Sequence, residues 1–489
     1  MAKSESYITE YMEKPKRICL PIDTELTPEL IDTLIEIKNK DNERFTTLQK
    51  YYEGWAKILD REKNPEKSNN KIVLAYPAYI VDILQGMAVG RPVTYAIAEE
   101  DRDKFRPIQE ILDNNQEQDE NTALAKMSGI NGLGYEINYI DEEGNYCFNE
   151  LLPQNVIMVW DDKIKPEPWM AIYVRDTINL DNLTSDEKQQ AATVYTADKI
   201  YEYEPGKNGF VLVDKYENVL HKFPIIEWAN NDEYIGDFER ELSLIDQMNL
   251  LFSDNSNGFE ENINALLVLW GMVNTTYKDY KRLREEGVLL ASNGTGTGTK
   301  QDAKFLTKDI NDTAFENFKK DLDEAIHKFS KAPNVTDEKF SGVASGESQK
   351  YKVFTTDQII ELKKRKYHTA LTKRMELICE YLRIKQGMDI NYKDISINFQ
   401  DNKPYDELKN AQTVKQLIDA GASRQYAFSK LKGIDDLAEE LERQRQEKDM
   451  YSDLFTDSKK DLMYGQDDMG DNAKEVREAP ESEREEDIR

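Results

Sequence analysis

Apolar residues recur at helical spacing through much of this 489-residue chain, and one stretch switches to short strand-like segments. Residues 26–60 follow the helical pattern. Thr27-Pro28 is their start signal, a capping hydroxyl followed by a ring whose fixed φ suits a first turn. In the most apolar window, "KIVLAYPAYIVDILQGMAVG" (71–90), Ile72, Tyr76, Tyr79, Ile83 and Met87 share one helical stripe. Pro77 and Asp82 interrupt it, which predicts a buried amphipathic helix and not a membrane span. "GRPVTYAI" then breaks helix and begins a strand, and another helix is expected near 104–130. From about 133 to 230, segments such as "GYEINYID", "VIMVW", "WMAIYVRD" and "FVLVDKY" alternate with turn signals such as "EEGN" and "PGKNG". These segments are β-branched and aromatic, so the region is β-rich.

Helical spacing then returns. With Asp237 as the expected N-cap, Leu244, Met248, Leu251, Phe259, Ile263 and Leu266 form a near-heptad stripe that predicts one long helix ending at Gly271. About 30 residues make a rod of roughly 45 Å. A second helix, 312–330, repeats the spacing with Phe315, Phe318, Leu322, Ile326 and Phe329. Two such stripes predict that the helices pack on each other or on neighbouring copies, with 272–311 at their far end. "APNVTDEKFSGVAS" (332–345) is a loop, and Ser345 can cap a third long helix running to about Gln386, with Leu371, Met375, Ile378 and Leu382 as its stripe. "GMDINYKDISINF" is a short strand region. After Asn402 the chain is helical again: Gly421 ends one helix, Ser423 caps the next and Asp435 a third. The segment from about 450 is acidic and unpatterned, as disordered tails are.

Composition narrows the classes. Two to four structural units suit the length. A formal net charge of -29 keeps a protein soluble and repels nucleic acid at long range. Cys19, Cys147 and Cys379 form no CxxC pair, which gives neither a zinc site nor a disulfide framework and fits a reducing compartment. "MAKSESYITEYMEK" has no apolar core of a secretion signal.

Candidate chemistry is sparse. "SNGTGTGTK" (292–300) is not a phosphate-binding loop. From Gly294 the second glycine of that motif falls on Thr299, and Lys300 is followed by Gln301 instead of Ser or Thr. "DNSNG" (254–258) resembles a calcium loop only faintly, and a polar helix face is the better reading. His221, His327 and His368 are isolated, so no metal pair is expected. Asp161-Asp162 resembles the acid pairs of metal-dependent nucleases, against the simpler reading of a solvated turn. "KKRKYHTALTKR" (363–374) is basic in an acidic chain. It suits phosphate contact or, preferably, an intermolecular salt-bridge face.

Four stretches, in this order, carry a resemblance: "NNKIVLAYPAYIVDILQGMAVGRPVTY" (69–95), "KFPIIEWANNDEYIGDFE" (222–239), "FSDNSNGFEENINALLVLWG" (252–271) and "APNVTDEKFSGVASGESQKYKVFTTDQI" (332–359). A weaker fifth is "GASRQYAFSKLKGIDDLAEELERQRQEK" (421–448). Together they resemble the portal proteins of tailed bacteriophages, above all the portal family of long-tailed phages infecting Gram-positive bacteria. The resemblance spans roughly residues 40–450 and departs at the Gly-Thr run and in the acidic tail.

It implies an α+β, mainly helical portal fold with wing, two-helix stem, clip and helical crown. The implied layout is an N-terminal helical segment (1–60), wing (61–236), first stem helix (237–271), clip (272–311) and second stem helix (312–330). A tunnel loop (331–346), a long helix with return to the wing (347–402), a crown (403–450) and the tail (451–489) follow. It further implies a ring, about twelve copies, at one capsid vertex, assembled in the host cytoplasm. The expected partners are double-stranded DNA without sequence preference, a terminase, the major capsid and scaffold proteins and a head–tail adaptor, with no membrane, cofactor, metal or catalytic residue. Asn334, Asp337, Glu338, Lys339 and Phe340 of the loop would face DNA. Lys319, Lys320, Lys328 and Lys331 would touch phosphates, or are an ordinary solvated face. Tyr277, Lys278, Tyr280, Lys281 and Arg284 would meet the terminase or adaptor. A ring fits the physics, since it needs a heterologous interface that closes, and a channel for DNA of any sequence must not grip it. Against this stand a metal-dependent nuclease and an acidic scaffold or adaptor without a channel.

Overall fold

Thr27 Oγ1 accepts the Leu30 N–H at 3.3 Å, and Pro28 opens helix α1 (Pro28–Tyr52) behind it. The computed structural model describes residues 9, 12–13, 17–64, 67–98, 101–177, 189–206, 209–263, 266–270, 276, 278, 281, 302–306, 312–335, 346–400, 407–428, 430 and 440–447. Helix α1 joins three cores. Ile31, Leu34 and Ile35 lie on a sheet, Phe45 fills a second cluster, and Leu48 and Tyr51 enter the main helical core.

That sheet has six strands in the order β1 (Ile18–Cys19), β5 (Val156–Trp160), β6 (Pro168–Thr177), β7 (Gln189–Thr196), β8 (Lys199–Gly206) and β9 (Gly209–Glu217). Only β1–β5 is parallel. A second, antiparallel sheet runs β10 (Ile225–Ala229), β3 (Leu133–Ile140), β4 (Tyr146–Leu151). Strands β2 (Thr94–Ala96) and β13 (Ser396–Asn398) form a separate pair. The β-rich region therefore lies where the alternating pattern puts it.

Helix α2 (Tyr76–Val89) has Pro77 in its first turn and is buried through Ile80, Val81 and Leu84; of the expected stripe, Tyr76, Tyr79, Ile83 and Met87 are only half-buried and Ile72 precedes the helix. Among the described residues no helix is long and apolar enough to cross a membrane. The single helix expected near 104–130 is two, α3 (Arg102–Asn114) and α4 (Glu117–Asn131), because Gln116 takes φ 51 between them. At the end of α4, Gly132 has φ 84, and a Cβ there would stand 2.1 Å from the Tyr234 carbonyl oxygen. Only glycine accommodates both the angle and the approach.

Helices α5 (Leu242–Ile263), α6 (Asp312–Ser330) and α7 (Gly346–Gln386) complete the main core through Ile245, Met248, Ile326, Ile360, Leu371, Met375 and Ile378. Two expectations fail here. The helix predicted to reach Gly271 ends at Ile263, and Leu266–Trp270 is a strand, β11, paired antiparallel with β12 (Asp302–Leu306). Five consecutive apolar residues carry no period that separates helix from strand, and a partner about three dozen positions away decides the matter. Asp237 is no N-cap either. A 3₁₀ turn, Glu239–Glu241, leads into α5, and the Asp237 carboxylate instead takes Lys363 Nζ at 2.5 Å and Asn230 Nδ2 at 2.8 Å.

The chain divides into a large unit, residues 1–403, and a C-terminal unit, 404–489. In the latter, α8 (Glu407–Asp419) ends before Gly421 at φ 87, and Ser423 Oγ accepts the Tyr426 N–H to start α9 (Arg424–Phe428). Residues 440–447 are helical, while Asp435 and the tail beyond 450 lie outside the described residues. The class is mixed α+β.

Candidate channel site

Helices α5 and α6 pack on each other, with the Phe252 and Phe315 rings edge-on at 6.0 Å. The polar side of α5 is occupied too. Asn249, Ser253 and Asn257, spaced four apart on one face, accept the backbone N–H groups of Leu74, Ile72 and Asn70 at 2.9, 2.9 and 2.7 Å. An extended segment is thereby hydrogen-bonded to a helix. Asp254 pairs with the buried Arg61 at 2.8 Å. "DNSNG" is thus a helix face that holds protein, as expected.

The turn that follows α6 is held from three sides. Tyr79 Oη donates to the Pro333 carbonyl at 2.7 Å and accepts the Val335 N–H at 3.1 Å. The Asp323 carboxylate takes Tyr76 Oη at 2.6 Å, Asn334 Nδ2 at 3.1 Å and His327 Nε2 at 3.5 Å. Thr356 Oγ1, on α7, donates to the Lys331 carbonyl at 2.6 Å, where Lys331 takes φ 60. The His327 bond, with Tyr76 and Asn334 adding to it, outweighs burial and keeps the Asp323 carboxyl below its ordinary range. Burial opposes charge on His327. Its bonds to Asp323 and to the Ala332 carbonyl outweigh that and raise its pKa.

Of the expected loop contacts, Asn334 is half-buried with its amide on Asp323, and Asp337, Glu338, Lys339 and Phe340 lie outside the described residues. Lys319 reaches Glu316 at 2.6 Å and Lys320 reaches Glu324 at 4.0 Å, each one turn along α6. Lys328 lies 5.6 Å from the Phe329 ring centre, and Lys331 is exposed. Lys278 and Lys281 are exposed, whereas Tyr277, Tyr280, Arg284 and the Gly-Thr run are outside the described residues. Among the described candidates, Asn334 and Lys331 lie in the turn itself, Lys328 is in the last turn of α6, and Lys319 and Lys320 lie further back along that helix.

The basic run 363–374 is the main correction. Its composition suits a neighbouring copy or phosphate, but its key members turn inward. Lys363 is buried against Asp237, whereas Lys366 makes a surface pair with the exposed Asp232. Arg374 is fully buried. Its guanidinium meets Glu136 at 2.9 and 2.7 Å and Asn121 at 2.7 Å, and stacks 4.2 Å from the Phe148 ring centre. Trp228 Nε1 donates to the same Glu136 carboxylate at 2.8 Å. A long helix crossing a core places every third or fourth residue inside, and the run's length and sign conceal that phase.

The solvated turn expected at Asp161-Asp162 holds for Asp162 but not for Asp161, which folds back on its own turn. Asp161 is buried, takes Lys163 Nζ at 2.7 Å and the Glu167 N–H at 3.0 Å, and the Lys163 bond lowers its pKa; Asp162 is exposed. Among the described residues no group of three or more His, Cys, Asp or Glu could hold a metal ion.

Comparison with known proteins gives a consistent result. The family described as "Phage portal protein, SPP1 Gp6-like" matches residues 31–454. The portal protein of Bacillus phage SPP1 is 23% identical over 406 residues, covering 79% of this chain and 78% of that protein. A solved structure, the neck of an empty GTA particle computed with C6 symmetry, aligns over 79% of this chain and 92% of its own. There the identity is 13% and the TM-score 0.45.

Proposed function

The chain belongs to the SPP1 Gp6-like phage portal family, and from that premise we propose how it works. A portal protein is a homo-oligomeric ring at the capsid, connected to the tail. In this chain we assign α5 and α6 to the stem, 272–311 to the clip, 331–346 to the tunnel loop and 404–450 to the crown. The ring has about twelve subunits around a channel for double-stranded DNA. It docks the terminase during packaging, retains the genome beside the capsid and scaffold proteins, and later joins the head–tail adaptor for ejection. Assembly takes place in the host cytoplasm. ATP is hydrolysed by the terminase and not by this chain.

The match across residues 31–454 carries this reading, and the electrostatics support it. A chain of net charge -29 repels phosphates at long range. Lys319 and Lys320 already share their charge with Glu316 and Glu324. A phosphate must compete with a carboxylate at each, so contacts are brief and blind to base sequence. Asp337, Glu338, Lys339 and Phe340 supply the DNA-facing part of the loop, with Asn334 at its root. Lys278 and Lys281, with Tyr277, Tyr280 and Arg284, supply the outer interface.

Electron microscopy of the purified full-length protein, viewed down the ring axis, tests the proposal. A ring of about twelve subunits with a hole wide enough for a duplex is expected. Compact particles without a hole, across protein concentration and salt, would sink it.

A further inference from the structure

Residues Lys331–Val335 are unusually well held for the start of a loop. The Tyr79 hydroxyl serves a carbonyl and an N–H two residues apart, so one side chain of α2 closes on both sides of the turn. Thr356 of α7 ties down the Lys331 carbonyl. His327 supplies the third hold. Its Nδ1 faces the Ala332 carbonyl at 3.1 Å and its Nε2 faces the Asp323 carboxylate at 3.5 Å, so both ring nitrogens have an acceptor before them. A neutral imidazole can donate at only one nitrogen, and only the imidazolium satisfies both. The rings of Tyr76 and Tyr79 stand edge-on to it at 6.1 and 5.5 Å.

We propose that Tyr79, Asp323 and His327 are positioning residues that latch the turn Lys331–Val335 to α2 with His327 doubly protonated. The latch fixes the point from which the DNA-facing residues start. This rests on the tunnel-loop reading above. The charged and titratable groups around His327 are accounted for. Asp323 on α6 and the phenols of α2 favour or tolerate its charge. Lys328 and Lys331, one and four residues further along the chain, are the nearest like charges in sequence, and Lys331 in turn favours the charge of Glu241, from the turn before α5. A histidine whose pKa is raised on folding stabilises below its unfolded value, and that stabilisation is lost as pH rises through the folded value. The latch is therefore closed below about pH 6.5 and loosens above it.

Hydrogen exchange on the assembled full-length protein, read in the peptide containing Val335 and corrected for the intrinsic pH dependence, tests the latch from about pH 6 to about pH 8.5. The unmodified protein is expected to lose protection as pH rises. His327→Gln is expected to flatten that profile. Tyr79→Phe, which removes both bonds and keeps the ring, is expected to raise exchange about tenfold at every pH. Tyr52→Phe, which loses hydroxyl bonds to Asp82 and Lys126 and none to the turn, controls for general loosening. Unchanged protection in Tyr79→Phe, or an unaltered profile in His327→Gln, overturns the proposal. Deletion of 337–340, scored by DNA retention in a packaging reaction, tests the loop reading separately. Normal retention there refutes the loop reading while leaving the exchange result standing.

Discussion

Replacing Arg374 by Met should be among the most damaging single substitutions in this fold, and replacing Glu136 as well should repair much of the damage. Arg374 and Glu136 are both fully buried, joined by two hydrogen bonds of 2.9 and 2.7 Å. Methionine fills a similar volume but leaves the Glu136 carboxylate in the core with only the Trp228 N–H and more distant dipoles. Breaking a buried pair on one side costs about 3–5 kcal/mol, because the surviving charge has neither water nor partner. In the double variant Arg374→Met/Glu136→Gln the Glu136 charge is gone and the introduced amide can still accept from Trp228; the buried Glu117 carboxylate, 3.5 Å from Arg374, loses its cation but keeps its bonds from Tyr95 and Asn121. The remaining loss is the Asn121 bond, the stacking on Phe148 and the longer 3.5 Å pairing with Glu117, together about 2–3 kcal/mol. Urea unfolding followed by circular dichroism, at one protomer concentration because association adds to stability, separates the cases. A double variant no more stable than the single one would refute the argument that stranded charge is what destabilises. So would an Arg374→Met protein that unfolds like the parent and only fails to assemble. That outcome would restore the intermolecular role.

Other consequences are as concrete. Gly132→Ala must fit a Cβ at φ 84 against the Tyr234 carbonyl and should lose at least about 2 kcal/mol in thermal unfolding. Gly144→Ala, at φ 81 but in open space, should lose about 1 kcal/mol. Burial pushes the Glu241 carboxyl up to about 7. Its folded form holds the proton more tightly than the unfolded one, so its contribution to stability falls as pH rises from the ordinary 4.5 through about 7. Glu241→Gln should therefore flatten stability over that window and make the protein more stable than the parent at pH 8, read by denaturant midpoints. Replacing Lys319, Lys320, Lys328 and Lys331 together by Gln should lower the salt dependence of DNA binding. The slope should fall by less than about 0.9 per lysine, because carboxylates already share the charge of two of them. An unchanged slope would remove these lysines from the channel wall.

What was legible in the sequence follows from how local each cause is. Helix α1 announced itself through a cap and a proline, and α6 and α7 through stripes whose period needs no partner. The break at Gln116 and the strand Leu266–Trp270 were not legible: one is a backbone angle at a residue with no special claim to it, the other a pairing settled far along the chain. The tyrosines of α2 were read correctly as one face of a helix, but periodicity assigns a side chain to a face and not to a partner. It could not show that Tyr76 and Tyr79 end on Asp323 and Pro333. The basic run did hold a usable signal. Lys363, Tyr367, Leu371, Arg374 and Ile378 advance by three or four, so the stripe that carries the apolar core of α7 passes through a lysine and an arginine. A cation in that phase cannot be solvated by water, and the fold must bring a carboxylate to it. The sequence therefore implied buried acids opposite α7. It could not say that they are Asp237 and Glu136, because their positions are set by the ends and edges of other elements. Burial on the inner face of α7 also makes these cations unavailable to any phosphate. Under the proposed channel function, phosphate-contacting charge has to come from exposed residues such as Lys320, Lys328 and Lys331.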